Sequence, residues 1–516
     1  MKNENMNNKG INTRNKSFLT DLFLTYSSQF IVLVLHIVII KLLAIYLTGD
    51  GFGAYMVIKR VVGIAFPILT VNLSISLSRF ISINETRQNK YLILSLLTLT
   101  VITIIVFIVS SIFNEIIAES IFNKKELEYL ISPLLLFIYA NSVQVVTVGY
   151  LRGKHEFRKM NIVIVLFWII QLIILVTLIQ FFTDSLYFLK YYLIVNAIFI
   201  LIMCGYFIIK NTNFNKETIK RIIGLNIIEN IKSDIEFYKY GLYRLPNGFF
   251  LAGIFSLPVF YSSNRISLKT AGYIGAIVTI IKMFQIVGNP INRLFLPKIS
   301  HLKTYSSNKT INKHCKTVIE FIFTFPILLG LLLYYLSPEL IKIWFGSDFT
   351  IIINYVNILS PFAGLLIGFI LIRSVLNGLY TYPYVNHITF FSFLFELILV
   401  IITEIFQLGI IGVSISFGGA IFILWFISTW ILLKKQKIPV ATKNNIISVI
   451  WLFIVFLILS VLKNIITINN IYISAILKVI IALAILLSSF LIYKIYNYQW
   501  INEMLKRLPF LNVPDK

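Results

Sequence analysis

Charge is scarce in this chain, and negative charge is scarcest. Only 13% of its 516 residues are charged, and only 21 are Asp or Glu, where a soluble globular chain carries roughly 25% charge. A chain folded in water must cover itself with polar groups. A soluble enzyme, a soluble nucleic-acid binder and a disordered protein are therefore excluded. Cysteine is nearly absent: Cys204 and Cys315 form neither a metal-spaced pair nor a disulfide framework. Of the five histidines, His155, His301, His314 and His387 fall in or near polar loops, without metal-ligand spacing. There is no phosphate-binding glycine loop and no nucleophile elbow. The sequence predicts no enzyme and no cofactor.

What is present is apolar: 58% of the residues are hydrophobic. They gather into fourteen runs near the roughly 20 residues that a helix needs to cross a bilayer. The runs are 18–47, 54–78, 91–113, 129–150, 160–182, 186–209, 241–263, 271–296, 317–337, 353–379, 388–405, 409–433, 446–463 and 472–493. A barrel would require alternating segments of about ten residues, which these are not. Helices satisfy the backbone within lipid, so the predicted class is an all-α integral membrane protein. Met1 to Lys16 is polar and basic, and the run after it is too long for the core of a cleavable signal peptide, so none is expected.

The net charge of +24 is explained by sidedness. With the N-terminus inside, 31 of the 45 Lys and Arg fall in inner segments or at inner span ends, seven in outer segments or at outer span ends, and seven deeper within spans. This is the positive-inside pattern, and with an even number of spans it predicts both termini in the cytoplasm. The basic inner loops at 210–239 and 298–316 read as topology determinants against anionic lipid.

The sequence also repeats. At an offset of 218, Tyr55, Ile81 and Ser82 meet Tyr273, Ile299 and Ser300. At 225, Leu151-Arg152-Gly153 meets Leu376-Asn377-Gly378, and Asn161 meets Asn386. Two six-span lobes with parallel topology follow, a transporter plan. The expected divisions are 1–239 for the first lobe with its tail and linker, 240–437 for the second, and 438–516 for two added spans and a tail.

The chain resembles the polysaccharide transporter branch, the O-antigen repeat-unit flippases, of the multidrug/oligosaccharidyl-lipid/polysaccharide flippase superfamily. The residues that carry the resemblance are Ser17-Phe18-Leu19 to Thr25, Gly51-Phe52-Gly53-Ala54-Tyr55, Tyr150-Leu151-Arg152-Gly153 with Phe157-Arg158-Lys159, and Ile343-Trp344-Phe345-Gly346-Ser347-Asp348-Phe349. It covers about residues 17–500. The resemblance implies the MATE-like fold and movement of undecaprenyl-pyrophosphate-linked oligosaccharide from the cytoplasmic to the outer leaflet of a bacterial cytoplasmic membrane. It further implies membrane lipid, the polymerase and the chain-length components of the pathway as partners, and no nucleic acid.

Ionisable residues inside spans usually face a bundle interior or water. Lys282 lies about 16 Å into the eighth span at 1.5 Å per residue. With Thr279, Gln285, Asn289 and Arg293 it forms a polar stripe within about 120°, and Pro290 is expected to kink the helix there. This stripe reads as cavity lining or as a buried network. Asp21, Thr25, Ser28, Gln29 and His36 make a second stripe on the first span, with Lys41 opposite. The second span aligns Tyr55, Lys59, Gly63, Thr70 and Ser74. Lys41, Lys59, Arg60 and Arg244 each lie near enough to a span end to snorkel or to line a cavity; Asn247 adds to the last. Lys478 is expected to snorkel or to serve a hydrophobic groove. A cationic interior suits a pyrophosphate, whose oxygens take charge-assisted donors. Glu396, the one acid near the middle of a run, reads as a coupling-ion site, as an ion pair for which Arg373 is the candidate partner, or as a neutral hydrogen-bonded carboxyl.

Three other readings differ in what they require. A drug or cation antiporter of the same superfamily needs an acid-lined pocket, and cations outnumber acids here. A lipid II flippase shares fold and cationic cavity. A membrane glycosyltransferase or polymerase needs a large soluble loop, and no outer segment between the runs is that long.

Overall fold

The computed structural model describes residues 2–83, 85–212, 234–289, 308–380, 382–439, 443–466, 468, 470–496 and 498, with side chains from residue 24 onward apart from 85, 185 and 308. The helices are α1 (Lys2–Leu69), α2 (Leu73–Ile83), α3 (Gln88–Ile112), α4 (Asn114–Phe122), α5 (Ile131–Gly153), α6 (Phe157–Ile179) and α7 (Ser185–Asn211). They continue as α8 (Ile235–Leu242), α9 (Leu245–Arg265), α10 (Leu268–Met283), α11 (Asn308–Ile322), α12 (Phe325–Phe345), α13 (Ile353–Leu379), α14 (Tyr384–Ile405), α15 (Gly409–Gln436), α16 (Lys443–Ile465) and α17 (Ile471–Ile495). No strand occurs among the described residues.

Thirteen described helical segments are long and apolar enough to cross a membrane. The first, Leu24–Leu69, has 46 residues, or about 69 Å, roughly twice the hydrocarbon thickness. Thr48 (φ 38°) and Gly49 (φ 42°) leave the helical region within it. This one segment therefore contains the first two apolar runs, and all fourteen are accounted for.

Two interruptions and one added helix depart from the sequence reading. The second run breaks at Thr70–Asn72, where Val71 and Asn72 take φ 47° and 51°, before resuming as α2. The eighth run is not one straight helix. The amides of Phe284 and Val287 each bond a carbonyl three residues back, which tightens the coil locally. The stripe drawn at 100° per residue thus holds only as far as Met283, while Pro290 and Arg293 lie outside the described residues. Part of the loop at 298–316 is helix: Ile311, Cys315, Val318, Ile319 and Ile322 are buried along one face of α11, at the spacing of an amphipathic helix.

The ninth run also extends past its expected end, because Pro338 sits inside α12. Proline cannot donate to the carbonyl four residues back, here that of Tyr334. The orphan oxygen accepts instead from Ser337 Oγ at 3.1 Å and from Lys463 Nζ, on α16, at 2.8 Å. Lys463 also donates to Asn357 Oδ1 at 2.8 Å and sits 4.0 Å above the Tyr334 ring.

Packing divides the chain into two compact units, Met1–Gly272 and Tyr273–Lys516. This boundary falls inside α10, whereas the internal repeat divides the sequence at 239–240. In the first unit α5 packs against α2, α3 and α7, and α1 against α6 and α9. In the second, α12 packs on α13, and α15 on both α13 and α14. There α16 and α17 close over α12 through Leu328, Leu331, Leu332 and Tyr335 against Leu452, Val455, Leu459 and Ala482.

Gly53 marks the tightest approach in the first unit. A Cβ there would lie 1.8 Å from the carbonyl oxygen of Leu268, so α1 and the start of α10 touch backbone to backbone. Gly53→Ala is expected to cost about 1–3 kcal/mol or more, as overpacking does, and to lower the unfolding midpoint in detergent. An unchanged midpoint would mean that the two backbones separate freely.

Candidate functional site

In the first unit the two halves of α1 bring their polar faces together. Lys59 Nζ lies 3.0 Å from Nε2 of His36, and the imidazole nitrogen accepts, since an ammonium has no acceptor. The His36 ring also rests on Trp168 of α6, with centroids 4.7 Å apart. Two stripes read separately from the sequence thus share a contact, and Trp168 is a member that the sequence did not reveal. Ser28, on the same stripe, is buried and bonds the Thr25 carbonyl. Asp21 lies outside the residues whose side chains are described.

Arg60 is enclosed by protein. It is 3% exposed, and its backbone carbonyl accepts from Ser256 Oγ of α9 at 3.5 Å. Lys41 is half-buried and makes no ion pair with a described residue. Arg244, which precedes α9, is exposed and holds its guanidinium 4.5 Å over the ring of Tyr240.

In the second unit Lys282 stands exposed in the last turn of α10, with Gln285 and Asn289 half-buried just beyond the tightened turn. Thr279 is buried and donates to the Gly275 carbonyl at 2.7 Å. Glu396, on α14, is 0% exposed, and neither carboxylate oxygen has a hydrogen-bond partner among the described residues. Arg373 is half-buried on α13 and does not bond it, so the expected ion pair is not formed.

Lys478 is a further correction. It neither snorkels nor opens a groove: its Nζ lies 2.6 Å from Oε1 of Glu339 on α12, with the two side chains 4% and 11% exposed. Ser474 donates to the same oxygen at 2.8 Å. Glu339 is hidden from the sequence because a run that stops at Pro338 leaves it in a loop. No cluster that could hold a metal occurs among the described residues.

The architecture defines the class of protein. It is similar to a solved lipid II flippase, MurJ, in an inward closed conformation, with a TM-score of 0.66 at 16% identity over 92% of this chain and 99% of that one. It is likewise similar to an inward-facing multidrug resistance MATE family transporter of the MOP superfamily, at 0.63 and 12% identity over 78% and 94%. A mutant form of the Vibrio cholerae MATE transporter VcmN follows at 0.55 and 14% over 84% and 100%. This is a multi-pass membrane protein with the MOP-superfamily fold. No curated protein sequence matches the chain. Residues 18–303 match the family described as polysaccharide biosynthesis protein, and the chain belongs to that family.

Proposed function

We propose that the protein is a flippase for undecaprenyl-pyrophosphate-linked oligosaccharide repeat units of a surface polysaccharide such as O-antigen, lipopolysaccharide or capsule. It works from the cytoplasmic to the outer leaflet of the bacterial cytoplasmic membrane, with both termini in the cytoplasm. The observation that carries this reading is the sign of charge inside the spans of a chain of this family. Lys59, Arg60 and Lys282 lie within spans with Arg244 at the start of another; among the buried acids of the spans, Glu339 pairs with Lys478, Glu320 accepts from Asn444, and Glu396 stands without a hydrogen-bond partner among the described residues. Cationic side chains suit a diphosphate and disfavour the cationic substrates of an antiporter. In this reading Lys282, Gln285, Asn289, Arg293, Lys59, Arg60, Arg244, Asp21, His36 and Lys41 are the candidates for contact with substrate. Lipid II carries the same diphosphate, and competition between the two lipids identifies the preferred glycan.

The test is transbilayer movement of a fluorescent lipid-linked oligosaccharide in vesicles holding the purified protein. A pyrophosphate diester carries about two negative charges, and each is worth about 2.3 kcal/mol per 100 mV. A negative potential on the loading side is therefore expected to favour outward movement by about 4–5 kcal/mol per 100 mV. Alternating access around a fixed midplane site lets the opening move while the protein cations stay in place. Absence of any movement would overturn the flippase reading, and movement indifferent to potential would remove its electrogenic step.

Glu396 supplies the second half of the cycle. A buried carboxyl with two unbonded oxygens can accept a proton or a small cation as the empty carrier resets. Glu396→Gln keeps the shape and removes the charge. It is expected to abolish acceleration by an imposed pH gradient while slow, potential-driven movement persists. An unaltered response would return Glu396 to a structural role.

A further inference from the structure

Two arginines converge on one tyrosine in the first unit. The Cζ of Arg79, on α2, lies 4.3 Å from the centroid of the Tyr240 ring, and that of Arg244 lies 4.5 Å from it. The two guanidinium carbons are thus no farther apart than the sum of these distances. Both side chains are exposed, and neither donates a hydrogen bond to, or pairs with, a described residue. Neighbouring acids are engaged elsewhere: Asp234 with Arg87 at 3.4 Å and Lys90 at 2.6 Å, Glu156 with Lys154 at 3.7 Å and Lys159 at 2.9 Å. Glu236, on α8 with Tyr240, pairs with neither arginine.

The pair is held in place by the fold. Gly241 lets α8 meet the break in the second run, since a Cβ there would lie 2.5 Å from the Val71 carbonyl oxygen. Asn72 Nδ2 donates to the Arg244 carbonyl at 3.0 Å. Ser78, next to Arg79, donates to the Gly149 carbonyl at 3.1 Å and accepts from Arg152 Nε at 2.8 Å. Phe80 packs edge-on against Tyr240 and Phe237, and Phe237 stacks on Tyr91. Two like charges held against one ring, which offsets part of their repulsion, favour an anion that bears two negative groups. Contact over the ring leaves the N–H donors of each guanidinium unspent, and these match phosphate oxygens in pairs.

We infer that Arg79, Tyr240 and Arg244 form a capture site for the diphosphate group of the lipid-linked substrate, occupied before transport. The site rests on the flippase reading for its substrate. It lies at a junction of helix ends, where α2 packs on α8 just before the start of α9, on the side which the positive-inside count assigns to the cytoplasm.

The experiment uses the full chain in phosphatidylcholine nanodiscs, with a short-chain polyprenyl diphosphate as the probe and inorganic pyrophosphate or phosphatidylglycerol as competitor. A charge-assisted hydrogen bond is worth about tenfold or more in affinity. Arg79→Ala and Arg244→Ala are each expected to weaken binding about tenfold, and together about a hundredfold. Tyr240→Ala weakens it less, and Tyr240→Phe, which keeps the ring, leaves it unchanged. Lysine at either arginine restores only part, having lost the fork. In vesicles the double alanine variant raises the apparent KM. Pyrophosphate is expected to displace the probe and phosphatidylglycerol to fail. Unchanged affinity in a double variant with wild-type unfolding midpoint overturns the site, as does equal displacement by phosphatidylglycerol, which marks a bilayer contact. If wild-type protein binds the probe through these residues but moves no lipid, the capture site stands and the flippase reading falls.

Discussion

Lys282→Ala is expected to abolish export, lowering it by at least a hundredfold, while the protein still reaches the membrane in normal amount. The side chain stands exposed at the end of α10, where the coil tightens at Phe284. A lysine that far along an apolar span is costly unless it faces water, ligand or a polar partner. Removing the ammonium deletes a point charge worth about 1.5–3 kcal/mol for each charge-assisted bond to substrate, and a diphosphate offers more than one such bond. Lys282→Arg keeps the charge but changes its shape and hydration, so partial transport is expected from it. Surface polysaccharide, measured beside the quantity of protein in the membrane fraction, gives the answer. Normal polysaccharide from Lys282→Ala would take this residue off the transport path.

The second large effect concerns stability. Glu339 and Lys478 form an ion pair buried between α12 and α17, and Oε2 of Glu339 has no further partner among the described residues. Breaking a buried pair from one side leaves a lone charge in apolar surroundings, at a cost of about 3–5 kcal/mol. Lys478→Met or Glu339→Gln alone should therefore lower the unfolding midpoint in detergent sharply. The combined Glu339→Leu and Lys478→Met variant should recover most of the loss, because two apolar side chains leave nothing uncompensated. Single variants as stable as the parent would show that α12 and α17 are held by apolar packing alone.

These residues also show what the sequence discloses and what it withholds. The apolar runs are plain because lipid demands whole helices, and the helical class follows directly. The breaks within runs are not plain. A chain with Thr48 or Val71 at positive φ reads no differently from one in which they are helical, since packing selects the conformation. Pro338 misleads in the other direction: the ninth run closes just before it and leaves Glu339 in a loop, and its lost hydrogen bond is filled by a lysine more than a hundred residues away. The helix at 308–322 is concealed by its charged face, although its buried residues keep helical spacing. Of the candidate residues, Lys59 and His36 are each legible as polar positions. Their meeting depends on how the two halves of α1 rotate against each other, which no single helix encodes. Lys478 reads as a surface-seeking lysine because its acid lies in what looks like a loop.

The lysine at the Pro338 kink bears on modularity. Counted by repeats, α16 and α17 look like a dispensable appendix to a twelve-span carrier. Yet α16 supplies the ammonium that caps the Tyr334 carbonyl, and α17 supplies the counter-ion of Glu339. A gene shortened after residue 437 would encode a protein with a carboxylate and part of a kinked backbone bared to hydrocarbon. The final two helices are thus tied by polar contacts as well as by apolar packing into the second unit.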